Sequence, residues 1–129
     1  KVRDDTAAEE EIASDPTIGP TEKETLRKAR IGQGKFRENV LEVERDGCRL
    51  TGVADARLLR AGHIKPWAAS TNSERLDGHN GLMFTPAADH LFDQGFISFS
   101  DEGDLMIATA YIDAADVKRM GLNLRANVG

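Results

Sequence analysis

At 129 residues, with 5% aromatic and 30% charged side chains, the chain has room for one modest core built mainly of Leu, Ile, Val and Ala. No apolar run approaches the roughly 20 residues that a membrane helix needs, no signal-peptide pattern opens the chain, and a single cysteine, Cys48, excludes an internal disulfide and speaks against a structural zinc site. The net charge of −5 is unevenly spread: residues 23–75 hold twelve basic against seven acidic side chains, whereas both flanks are acidic, a pattern compatible with a local phosphate-binding face.

Taken in chain order, residues 1–20, with "DDTAAEEEIASDPTIGP", show little apolar periodicity and read as an acidic flexible tail or linker. A domain over 21–129 follows, with its core about 46–108. Thr21 and Glu24 stand in capping-box spacing, so a helix is expected to start at "TEKETLRKAR". "GQG" at 32–34 breaks it, and "KFRENVLEVE" resumes helical spacing. "DGCRLTG" reads as a turn and a short strand, and "RLLRAGHI" leads to His63. "STNSERLDGHN" reads as a loop before "GLMF". Thr85 is placed to cap a helix with Pro86 at its first position, running through "AADHLFDQ" to Gly95. "FISFS" and "DLMIA" around "DEG" make a hairpin, and "DAADVKRMG" closes with a helix stopped at Gly121.

The chemistry concentrates in His63, Asn80 and "ADHLFD". On a helix, Asp89 and Asp93 lie four residues apart on one face, and hard carboxylate oxygens suit a magnesium- or manganese-like ion. A neutral imidazole, with an unperturbed pKa near 6.5, accepts a proton from water. An Asn amide donates and accepts at once, so Asn80 can tie its loop to the backbone behind the imidazole. His63 as a hydrogen-bonded packing residue and Asn80–Gly81 as a simple turn pair are the plainer readings of the same letters. Trp67 and Pro66 are expected to pack near His63, and Cys48 to be a small core residue.

"CRLTG…LLRAGHIKPWA…RLDGHNGLMFTPAADHLFDQGFISF" resembles the HNH endonucleases, the nucleases with a ββα-metal site, and most of all the branch found in bacterial restriction and defence proteins. The resemblance covers roughly residues 29–110. It implies an α+β fold: a ββα-metal core with an N-terminal helix, a following β-hairpin and a C-terminal helix. It implies one divalent ion, Mg or Mn, and hydrolysis of DNA to 5′-phosphate and 3′-hydroxyl ends. Position by position, His63 matches the general base, Asn80 the bracing Asn, and Asp89 the metal ligand on the helix. His90 would restore the letters H-N-H, but one residue further on turns its side chain about 100° away. The position before His63, where relatives often carry a ligand, is Gly62, so Asp93 is the candidate replacement and His63 itself another. Lys35, Arg37, Arg60 and Lys65 are candidate phosphate contacts. Imidazole and carboxylate are expected to converge on a shared cation. A prokaryotic cytoplasmic setting, a homodimer for double-strand cutting, and fusion to a separate DNA-recognition domain follow as expectations. The alternatives are a catalytically inactive HNH-fold module that only binds nucleic acid, and a protein-interaction domain using the acidic ends.

Overall fold

The computed structural model describes residues 5–129. They fall into two compact units, one formed by Asp46–Arg60 with Met83–Gly129, the other by the described residues up to Arg45 with Ala61–Leu82. The expected 21–129 domain is thus shared between two units.

In the unit that includes Ala61–Leu82, helices come first. Residues Asp5–Ser14 form helix α1 where the acidic stretch reads as a tail; the first four residues of that reading lie outside the described ones. Ala8 and Ile12, four apart and so on one face, are both buried, and α1 packs on the 3-10 turn Trp67–Ala69 and on α2. Two apolar residues dock the helix while its other described side chains are exposed or half-buried, which is why no periodicity stands out. Helix α2 (Pro20–Arg30) starts two residues earlier than the capping-box spacing predicts: Gly19 is the N-cap, Pro20 holds the first position, and no side chain caps it. Glu24 instead pairs with Arg27 on the next turn. Gly32 and Gly34, with φ of 73° and 65°, make the break that "GQG" predicts. Helix α3 (Gly34–Val43) then buries Phe36 and Val40.

Strand β1 (Arg60–His63) and strand β2 (Gly81–Phe84) form a two-stranded sheet. Between them, the stretch expected to be loop contains helix α4 (Asn72–Leu76). Thr71 and Glu74 close a full capping box around its first turn. Lys65 donates to the Glu74 carboxylate, which holds that carboxyl below its usual range, with the Thr71 N–H adding to the effect. A lowered carboxyl contributes stability above its unfolded pKa and loses it as pH falls through the folded value, so the box is intact at neutral pH and weakens in acid.

Gly81 begins β2 in extended geometry, φ −144° and ψ 160°. Its need for glycine is close approach: an added Cβ would sit 2.5 Å from Val40 Cγ2 and 2.8 Å from the Phe36 ring. The Asn-Gly pair is therefore a packing device here and not a turn. Gly81→Ala is expected to destabilise the fold by about 1–3 kcal/mol, the usual range for overpacking, read as a lower urea midpoint.

In the other unit, the strand expected over "CRLTG" does not form. The Cys48 N–H goes to Val53 O and the Gly52 N–H to Cys48 O, which folds the segment into a tight loop with Cys48 and Leu50 buried. The first part of "RLLRAGHI" is likewise a 3-10 turn, Ala56–Leu58. Helix α5 (Pro86–Asp93) has Thr85 as N-cap, accepting from the Ala88 N–H, and Pro86 at its first position. Gly95, with φ 76°, follows its end. Strands β3 (Ile97–Phe99) and β4 (Leu105–Ile107) pair antiparallel with Ser98 opposite Met106. Phe84 stacks on Phe92, which meets Phe99 at a tilt, joining β2, α5 and β3. Helix α6 (Ala114–Arg119), capped by Asp113, closes the unit, with Gly121 just beyond. The architecture is α+β, with small sheets among short helices, as expected for the HNH type.

Candidate active-site residues

His63 ends β1, half-buried. Its ring lies flat on Phe36, centroids 3.7 Å apart and planes within 6°, and meets Trp67 edge-on at 5.3 Å. Nε2 is 2.9 Å from the main-chain oxygen of Arg75. A carbonyl only accepts, so Nε2 carries the proton and donates, and in the neutral ring the lone pair resides on Nδ1. The contacts that make His63 a packed residue also fix its plane and the nitrogen that donates.

The Arg75 carbonyl belongs to the last turn of α4, where main-chain oxygens have no partner within the helix. Three successive oxygens there are taken by side chains from separate parts of the chain. Glu74 O accepts from Asn80 Nδ2 at 2.9 Å, Arg75 O from His63 Nε2, and Leu76 O from Asn39 Nδ2 at 2.7 Å. Asn80 Oδ1 also accepts from the Lys65 N–H at 3.0 Å, and Asn80 O from the Ile64 N–H at 2.9 Å. The Asn80 amide thus links the backbone just after His63 to the end of α4. Asn80→Asp would keep the acceptor, lose the donor and set a charge against the Glu74 carbonyl. It is expected to cost about 1–3 kcal/mol, as for a buried polar group left unpaired, measured by chemical denaturation without added metal.

Asp89, His90 and Asp93 all lie on α5 in the other unit. Asp89 is half-buried, while His90 and Asp93 are exposed. Burial pushes the Asp89 carboxyl above its ordinary range; the Arg60 guanidinium, 3.9 Å away, pulls it down, Asp93 adds to the rise and His90 opposes it. Such a carboxylate is incompletely compensated, and a cation would favour its charged form. Among the described residues no three His, Cys, Asp or Glu side chains form a ready-made cluster for a metal. A magnesium-like ion asks for less, one or two carboxylates with water and phosphate oxygens completing its shell, and Asp89 with Asp93 one turn on are the residues of α5 that could supply them.

The four candidate phosphate contacts differ in their surroundings. Lys35 is exposed near the start of α3, and Arg37, two residues on, is half-buried. Lys65 is engaged with Glu74, and Arg60 with Asp89. Sequence reasoning passed over Arg75 and Asn39. Arg75 is buried, and its guanidinium lies 4.7 Å from the centre of the Trp67 ring. No local pattern marks either residue, because each acts on main chain brought near by the fold. Only the capping box of α4 was written in the letters, as Thr71 and Glu74.

Among the described residues no helix is long and apolar enough to cross a membrane. No curated protein matches the chain. Residues 48–100, which include β1, β2 and α5, match the model of the HNH endonuclease family. That segment is similar to the HNH endonucleases, a family of nucleases, which supports the resemblance seen in the sequence.

Proposed function

We propose that this chain is a divalent-metal-dependent DNA endonuclease domain, the cleavage module of a restriction or defence nuclease. The observation that supports it best is the Nε2 contact of His63: with Nε2–H given to Arg75 O, Nδ1 is the basic nitrogen whenever the ring is neutral. In this reading Nδ1 takes a proton from the attacking water. Asp89, with Asp93, holds a magnesium or manganese ion, which when bound stabilises the negative charge that builds on the phosphate oxygens. Asn80 positions the segment after His63 and does not touch substrate. Lys35 and Arg37 contribute charge toward the DNA backbone, as Arg60 does once the ion relieves its attraction to Asp89. The products carry 5′-phosphate and 3′-hydroxyl ends.

The test is nicking of supercoiled plasmid with magnesium or manganese, with and without EDTA, beside Asp89→Asn. Metal-dependent nicking that falls at least about tenfold in the variant is expected, the lower end for loss of a group that orients or holds an ion. Salt-sensitive DNA binding with no cleavage under any metal would replace this reading with that of a binding module.

A further inference from the structure

We propose that Arg75 is the positioning residue of His63, holding through one guanidinium both the carbonyl that fixes the imidazole tautomer and the aromatic wall that the imidazole meets. Helix α4 has five residues, too few to be stable as an isolated helix. The carbonyls at its end are therefore only as well placed as the tertiary contacts that anchor them. The Arg75 side chain supplies such an anchor. Its Nε and Nη2 both donate to the Trp67 carbonyl, at 3.2 and 3.0 Å, and Nη1 donates to Asn72 Oδ1 at 2.8 Å. The same guanidinium packs over the Trp67 ring.

These contacts close a circuit. The side chain of residue 75 grips residue 67 by main chain and ring, the Trp67 ring meets the His63 ring, and the His63 ring returns to residue 75 through Nε2 and the carbonyl. Asn80 and Asn39 secure the carbonyls on either side, but neither is bonded to Trp67. Arg75 alone among the three couples the tautomer-setting oxygen to the ring wall. A lysine cannot reproduce this: its single ammonium lacks the planar fork that places two donors on one oxygen and a third on Asn72.

The catalytic consequence rests on the nuclease reading; the effect on His63 does not. Long-range proton–nitrogen correlation spectra of the 15N-labelled chain, recorded where histidine is neutral, report the tautomer of His63 directly. The wild type is expected to show the Nε2–H form. Arg75→Gln and the milder Arg75→Lys are expected to show a mixture of Nε2–H and Nδ1–H, with amide spectra otherwise native. In plasmid nicking, both are expected to lower kcat by about 10–100-fold, as for a reacting group displaced by about an ångström, with KM little changed. A dominant Nδ1–H form in the wild type overturns the proposal by itself. So does a folded Arg75→Lys or Arg75→Gln chain with the wild-type tautomer. A wild type that fails to cut DNA removes the nuclease reading, while the tautomer comparison still decides the role of Arg75.

Discussion

Replacing His63 with alanine is expected to lower metal-dependent DNA nicking by about 10²–10⁴-fold, the usual contribution of a general base. The loss should appear in kcat, since the ring is assigned to proton transfer and not to holding DNA. The same change removes an aromatic side chain stacked on Phe36 and a donor to the Arg75 carbonyl, so activity must be read beside stability. His63→Gln separates the two: its amide can still donate to Arg75 O but is no base at neutral pH. Glutamine should therefore recover part of the lost stability and none of the lost cleavage. Equal nicking by wild type, His63→Ala and His63→Gln would remove His63 from the chemistry.

The second large effect is expected at Phe36. Its side chain is fully buried, lies against His63 and sets the space that Gly81 must fit. Phe36→Ala should cost about 3–5 kcal/mol, the range for emptying a buried aromatic site. That is a large part of the total stability of an ordinary domain, so urea or thermal unfolding will register it first. Phe36→Leu fills most of the volume without offering a flat face. It should recover much of the stability while leaving nicking below wild type, because the plane of the imidazole then has one support fewer. A Phe36→Leu chain with full activity would show that Arg75 and Trp67 suffice to orient the ring.

How much of this could be read from the letters depends on how local the physics is. Thr85–Pro86 at the start of α5, Gly95 after it, and the hairpin around "DEG" are set by a few adjacent residues, and the structure has them where the sequence places them. The ordered run of motifs from Cys48 to Phe99 carried the resemblance, put at roughly residues 29–110, and the family model matches residues 48–100. The expected strand at "CRLTG" failed because apolar alternation cannot reveal that the Cys48 N–H will turn back on Val53. The helix at Asp5–Ser14 was hidden by its charge, since Ala8 and Ile12 are its buried pair. At "STNSERLDGHN" the Ser, Asn and Asp content suggested loop and outweighed the one spacing that mattered, Thr71 to Glu74. His63 and Asn80 were legible as residue types in order. What orients them was not, because Arg75 and Phe36 meet His63 across 12 and 27 positions of chain, and Asn39 reaches the end of α4 across 37.

Helix α4 ends on three oxygens claimed by Asn80, His63 and Asn39. A fluctuation that frays this one turn would release all three claimants together. Readiness of the imidazole then becomes an all-or-none property, set by how often five residues come undone. Deuterium uptake at the Arg75 amide, which is bonded to Thr71 O, would count those moments without any substrate being present.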